Sequence, residues 1–347
     1  MIKHTEAALV VGLILGAFAV SASGQSSDQG RRPPVLRSTA TVPDNQDQGE
    51  AGRQSGAATL ITVPAIVMDR DGRYIANLRK EDFAIYENGV EQDLSSFMSV
   101  EKPFTVALML DVSGSTKYQL DEIKEAANTF VSRLRLSDRM MVVTFDGKIN
   151  LLADVADVRA IRQSKLHIPA VTDGTALYDA VAFTLKRMAQ VPGRKAIVLM
   201  TDGVDQNSVA TLQGTIAGIA EQDVLIYTVR YNTQPQTSAR LSFIKNEKAR
   251  RKVEQRLVKQ YAISEPYLRT LAEKTGGRFY KADDLKEIGP AFEAITSELG
   301  VQYSLGYYPT KNSTAGAERL IKVRVRYPNL VVRTRESFTT TPAIARQ

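Results

Sequence analysis

The sequence predicts an α/β protein, a doubly wound and mostly parallel sheet inserted in a small β-sandwich formed by the flanking segments. Short continuous apolar runs such as Phe104–Leu110 and Ala196–Met200 alternate with amphipathic stretches at helical spacing. That alternation describes parallel strands whose two faces are covered by crossover helices. β-rich segments at 59–100 and 301–340 bracket this block. Each is too small to fold comfortably alone, and together they supply about six strands, enough for one sandwich.

Taken in order, Met1–Gly24 has Lys3, an apolar run from Ala7 to Val20, and then Ser21, Ala22, Ser23 and Gly24. A basic start, a short apolar centre and small residues at the end describe a secretory signal peptide over 1–24. The run is shorter than the ~20 residues that span a bilayer, so an uncleaved anchor is the weaker alternative. The protein is thus expected to be exported, either periplasmic or secreted. Residues 25–58, rich in Gln, Ser, Asp, Gly, Arg and Pro, read as a flexible linker because they bury too little apolar surface to offset ordering entropy.

The N-terminal β-segment, 59–100, contains strand-like Thr59–Val67 and Phe83–Tyr86, a turn at Asp71-Gly72, and Asn88-Gly89 reversing the chain into a third strand at Gln92–Ser99. The α/β block spans 103–299. Helices are expected at Tyr118–Leu134, near Val155–Leu166, at Ala176–Met188, at Val209–Glu221 and at Leu285–Leu299. Strands are expected at Met140–Phe145, Ala196–Met200, Val224–Val229 and Phe279–Lys281. Between the last two lies Arg240–Lys259, one expected helix with eight basic and two acidic residues, a net of +6 in a chain whose total is +7. It reads as a solvated face, or else as a patch for acidic partners or a membrane surface. Nucleic acid is not expected for an exported chain. In the C-terminal β-segment, 301–340, strands are expected at Gln302–Tyr308, Arg319–Tyr327 and Leu330–Phe338. This segment should pair with 59–100.

Composition narrows the chemistry. The chain of 347 residues is 43% hydrophobic and 24% charged, contains no cysteine, and has only His4 and His167. Disulfides, thiolate metal sites, cysteine nucleophiles and multi-histidine zinc sites are therefore excluded.

Three oxygen-rich clusters fall where ligands bind in doubly wound sheets, outside the carboxyl ends of the strands. They are Asp111-Val112-Ser113-Gly114-Ser115, Thr172-Asp173-Gly174-Thr175 and Thr201-Asp202-Gly203. Each alone is a common helix cap or turn, but three at one sheet edge suit a hard cation, Mg²⁺ or else Mn²⁺ or Ca²⁺. Ser113, Ser115 and Thr175 would reach the ion, with Asp111 and Asp202 acting through waters and orienting the hydroxyls. These residues are expected to line a surface crevice outside the packed core. Neutral hydroxyls neutralise a cation poorly, so it should seek an Asp or Glu carboxylate from a protein partner.

The spacing D-x-S-x-S at Asp111–Ser115, Thr175 within DGTALYDA and Asp202 within TDG resemble the metal-ion-dependent adhesion site of von Willebrand factor A (VWA) domains. The resemblance covers about 103–299 and implies an intact site in a protein-binding, adhesive module that is not an enzyme. The flanks resemble an exported bacterial group of acidobacterial type, through Glu81-Asp82-Phe83-Ala84-Ile85-Tyr86-Glu87-Asn88-Gly89, Thr275–Arg278 and Tyr303–Pro309. Two other functions compete: an envelope or assembly protein whose metal only stabilises the fold, and a metal-dependent hydrolase. The hydrolase lacks an evident acid/base pair, since Asp173 and Asp205 read equally as caps and His167 as a surface residue.

Overall fold

The computed structural model describes residues 59–116, 120–164, 167–168, 174–283, 285–309 and 316–339. The expected leader, 1–24, the linker, 25–58, and Thr172 and Asp173 lie outside the described residues. The elements in chain order begin with β1 (Ile61–Asp69), β2 (Phe83–Glu87), β3 (Val90–Gln92) and β4 (Leu94–Met98). The α/β block follows: β5 (Phe104–Asp111), α1 (Leu120–Arg133), β6 (Arg139–Phe145), β7 (Ile149–Asp157), α2 (Val158–Ser164), α3 (Leu177–Met188), β8 (Arg194–Thr201) and α4 (Leu212–Ala220). It continues with β9 (Leu225–Tyr231), α5 (Gln234–Leu241), α6 (Glu247–Thr275), β10 (Phe279–Ala282) and α7 (Ile288–Leu299). The chain then returns to β structure in β11 (Tyr303–Tyr307), β12 (Glu318–Val325), β13 (Leu330–Thr334) and β14 (Ser337–Thr339).

The central sheet has the order β10-β9-β8-β5-β6-β7 and is parallel except for β7. All eight residues of β5 are buried. Val106, Leu108 and Leu110 face a core closed by α1, α2 and α7. Ala107 and Met109 face a second core closed by α3, α4 and α6. The period-two alternation of side chains therefore loads both faces, and each large side chain fully buried there contributes ~1.5–3 kcal/mol. The doubly wound α/β arrangement expected from the sequence is present.

Two elements of this block differ from the sequence reading. The helix expected near Val155–Leu166 is instead the end of β7 followed by the short α2. β7 is an antiparallel edge strand, half-buried and with irregular register against β6, so its apolar residues show no clean period. The basic segment Arg240–Lys259 is not one helix. α5 ends at Leu241, and Asn246 caps α6 by accepting the Ala249 N–H at 3.0 Å. α6 then runs on to Thr275, past Pro266, and ends on Gly276 in the left-handed region (φ 83°).

The flanking segments form two antiparallel four-stranded sheets, β13-β1-β11-β4 and β14-β12-β2-β3. Their inner faces share one core, with Val63 and Val67 of β1, Ile85 of β2, Leu305 of β11 and Val323 of β12 all buried in it. The expected third strand, Gln92–Ser99, is β4, with the short β3 added before it in the other sheet. The expected last strand breaks into β13 and β14, one piece in each sheet, so the described residues give the two sheets eight strands. At the second break the Arg335 guanidinium turns inward and donates to the carbonyls of Ile219, Ala220 and Gln222 at the C-terminal end of α4. Carbonyls at a helix end lack the N–H of a following turn, and here the guanidinium supplements the Gln222 N–H, which donates to the Ile219 carbonyl at 3.2 Å.

Arg194, at the start of β8, is 2% exposed. It donates to the carbonyls of Val100 and Lys102 on the way into the α/β block and of Leu299 on the way out. The sandwich therefore joins the block at the amino ends of the parallel strands, which leaves the carboxyl ends to build a site. Among the described residues no helix is long and apolar enough to cross a membrane.

Candidate metal centre

Asp111 ends β5, and Thr201 ends the neighbouring β8. Asp111 Oδ1 accepts the Ser113 N–H at 3.0 Å, which folds the chain back on itself immediately after the strand. The Thr116 N–H and hydroxyl both donate to the Ser113 carbonyl, at 2.9 and 2.7 Å, and close the turn. The consequence is that the Ser113 and Ser115 hydroxyls lie 3.2 Å apart. Ser115 Oγ then donates to Asp202 Oδ2 at 2.9 Å. Asp111, Ser113, Ser115 and Asp202 therefore form one connected polar cluster.

Thr175 approaches on a separate loop. Its N–H donates to Asn207 Oδ1 at 3.2 Å, and its carbonyl accepts from the Gln206 and Asn207 N–H groups at 2.9 and 3.0 Å. These bonds tie it to the loop after Asp202 and not to the other four. Asp205, a candidate base by sequence, accepts the Tyr178 N–H at 3.2 Å and the Ser208 hydroxyl at 2.5 Å, so its carboxylate holds the start of α3. His167 is exposed.

The site lies deeper than the sequence suggests. Asp111 is 0%, Ser113 1%, Asp202 1% and Thr175 2% exposed, and only Ser115 is half-buried. These are buried residues, not the lining of an open surface crevice. Burial pushes both carboxyls above the usual carboxylate range, and the charge of Asp202 pushes Asp111 further. Hydrogen bonds oppose the rise: Thr201 Oγ1 to Asp111 Oδ2 at 2.6 Å, Thr233 Oγ1 to Asp202 Oδ2 at 2.5 Å, and the Val204 N–H to Asp202 Oδ1 at 3.0 Å. Arg230 lies near enough to Asp202 to lower its pKa slightly, but it is engaged with Glu265 at 3.5 Å.

The donors fit a hard divalent cation. Two buried carboxylates share one cluster with hydroxyl oxygens, and their combined charge is poorly balanced by protein cations. Such charge costs several kcal/mol per ion unless something compensates it. Among the described residues no three His, Cys, Asp or Glu side chains converge as a metal cage, so hydroxyls must supply part of any ligand set.

Sequence reasoning missed Thr233 and Tyr261. Tyr261 Oη on α6 lies 2.9 Å from Thr233 Oγ1, which holds Asp202. Thr233 sits just beyond β9, and the polar residue after the next parallel strand was the available signal. Gly203 brings α6 this close. Its φ is +81°, and a Cβ there would lie 2.6 Å from Ser264 Cβ.

Residues 106–204 match the family profile described as von Willebrand factor type A domain. Among solved structures, the chain is similar to a von Willebrand factor type A protein from Catenulispora acidiphila, with 13% identity, a TM-score of 0.45, and 76% of this chain and 74% of that one covered. It is similar to the vWF domain of the type V pili tip protein Mfa5 from Porphyromonas gingivalis, with 14% identity, a TM-score of 0.41 and coverages of 61% and 98%. Proximal thread matrix protein 1 from the mussel byssus, in a structure with a zinc-occupied MIDAS motif, gives 15% identity, a TM-score of 0.45 and coverages of 62% and 50%. No curated protein matches the chain.

Proposed function

Because residues 106–204 match the von Willebrand factor type A profile, we propose that the chain is a metal-dependent protein-binding module, which captures an acidic residue of a partner through a divalent cation. Ser113, Ser115 and Thr175 would supply hydroxyl ligands. Asp111 and Asp202 would act through waters and by orienting those hydroxyls. The bound ion, Mg²⁺ before Mn²⁺ or Ca²⁺, would supply a positive centre for a carboxylate. The carrying observation is the pair of fully buried carboxylates in one hydrogen-bonded cluster with Ser115. The leader-like residues 1–24 support action outside the cytoplasm, in the periplasm or secreted.

A binding role is favoured over hydrolysis because no acid/base pair stands beside the cluster among the described residues. Asp205 holds a helix start, and His167 is exposed. The reading in which metal only staples the fold draws on the same burial, since a cation there would tie the ends of β5 and β8 together. Calorimetric titration of Mg²⁺ and Mn²⁺ into the full chain, beside Asp111→Asn and Ser113→Ala, tests the proposal. Saturable binding by the unaltered chain that is lost in both variants is expected. Absence of binding by the unaltered chain would sink it, and a large metal-dependent gain in stability with no metal-dependent capture of a carboxylate ligand would favour the staple.

A further inference from the structure

The first half of α6 leaves the body of the protein. No residue from Glu247 through Ile263 is buried, and the buried face of this helix begins only at Ser264. At 1.5 Å per residue this arm is about 25 Å long. Propensity and a single Asn246 cap are a small reason for a stretch that buries so little to be retained, because most helices in proteins are stabilised by packing an amphipathic face.

The arm is rooted at the metal centre. Gln260 Nε2 donates to the Asp205 carbonyl at 2.6 Å, in the loop that follows Asp202. One residue on, Tyr261 reaches Asp202 through Thr233. Between arm and loop lies an open groove of about 700 Å³, lined by Gln206 and Asn207 on one side and by Val253, Arg256, Leu257 and Gln260 on the other. Gln206 and Asn207 are the residues whose N–H groups hold the Thr175 carbonyl. A chain leaving the metal centre on this side would run directly into the groove.

The charge of the groove's helical wall is one-sided. Arg256 lines the groove, and Lys252 and Lys259, four residues before and three after it, continue the same stripe of the helix along the groove's edge. From Glu247 to Lys259 there are six basic and two acidic residues, and all but Arg250 and Leu257 are exposed. Val253 and Leu257 give the groove an apolar floor beside that stripe.

We propose that the groove between the α6 arm and the 206–207 loop binds an extended acidic segment of the partner protein, the same segment whose carboxylate is held at the metal centre. This rests on the metal-dependent reading above and deepens it. The metal would fix one carboxylate, while the basic stripe selects the residues that follow. Charge complementarity of this kind raises the association rate and makes binding sensitive to salt.

The test uses the full chain and a fluorescein-labelled dodeca-glutamate, with binding read by anisotropy in Mg²⁺ and in chelator. The triple variant Lys252→Glu, Arg256→Glu and Lys259→Glu changes only exposed side chains, so its melting temperature and Mg²⁺ titration should match those of the unaltered chain. Peptide binding by the unaltered chain should need Mg²⁺, weaken with salt, and fall at least about tenfold in the triple variant. Binding that needs Mg²⁺ but ignores the charge reversal overturns the groove and keeps the metal reading. Binding that falls with the charge reversal but ignores chelator overturns the metal reading and keeps the groove. No binding of millimolar peptide by the unaltered chain overturns the proposal. So does attachment to phosphatidylserine vesicles that the peptide does not displace, or a dimer mass in light scattering that the triple variant abolishes.

Discussion

Thr201 donates its hydroxyl to Asp111 Oδ2 at 2.6 Å, joining side chain to side chain the residues that end two neighbouring parallel strands. The Thr201 hydroxyl also accepts the Gly203 N–H at 2.9 Å. Thr201→Val keeps the shape and removes this link. Asp111 should then ionise less readily, and Mg²⁺ affinity should fall by about tenfold, the equivalent of one hydrogen bond to a charged group. Calorimetric titration checks this, and an unchanged affinity would show that the link does not serve the centre.

The pH dependence of stability has a definite sign. Asp111 and Asp202 have folded-state pKa values raised above their unfolded ones, mainly by burial. Between the two sets of values the folded state binds more protons, so the metal-free protein loses stability as pH rises from about 4 through the raised values. In chelator, melting temperature should be lower at about pH 8 than at about pH 5, and Asp111→Asn should flatten that slope. Added Mg²⁺ favours the ionised carboxylates and should restore stability most at the higher pH. A metal-free protein that gains stability over this range would contradict the assignment.

Glu87 is buried where β2 meets β12. It pairs with Arg319 at 3.2 Å and accepts the Tyr307 hydroxyl at 2.7 Å. Arg319→Met should cost ~3–5 kcal/mol because it strands a buried carboxylate. Adding Glu87→Gln to that variant should recover part of the loss, measurable as a coupling energy in urea unfolding.

Gly277 follows α6 where the chain crosses β9. A Cβ there would lie 2.0 Å from the Ile226 carbonyl oxygen. Gly277→Ala must shift backbone and should destabilise by ~2–3 kcal/mol. At Gly289, inside α7, an added Cβ would meet nothing within 4 Å, so Gly289→Ala should stabilise by up to ~1 kcal/mol. Thermal unfolding of the two variants should therefore move in opposite directions.

The sequence made the parallel strands legible because burial on both faces leaves continuous apolar runs, as in β5 and β8. It hid β7, an edge strand with no clean period, and it placed the basic helix too early and too short, since α6 starts at Glu247 and runs on through the buried Tyr267, Leu268 and Leu271 to Thr275. Asp111, Ser113, Ser115 and Asp202 fall at or just beyond the ends of β5 and β8, and Thr175 lies just before α3, which are the places the sequence pattern singles out. Thr233, just beyond β9, carried a similar signal that went unread, while Tyr261, on α6, reaches Asp202 only through Thr233 and carried none. The flanking motifs were visible but mute. Glu87 finds Arg319, Tyr303 accepts the Leu78 N–H at 3.0 Å, and Arg278 pairs with the fully buried Glu298 at 3.0 Å. Two of these partners lie more than 220 positions away, a separation at which no local pattern announces a contact.

The insertion of the α/β block has a consequence for the order of folding. β1 pairs with β11 and β13, and β2 with β12, so the first strands to leave the ribosome wait for the last. The six central strands lie wholly between Phe104 and Ala282 and need no outside partner. Once they assemble, Met98 and Ser304 become ladder neighbours, and a closure that would span the whole block shrinks to a short one. The α/β block is thus the template on which the sandwich closes, and a lesion in its core should first be felt as strands left open at the amino-terminal edge, where unpaired backbone invites aggregation.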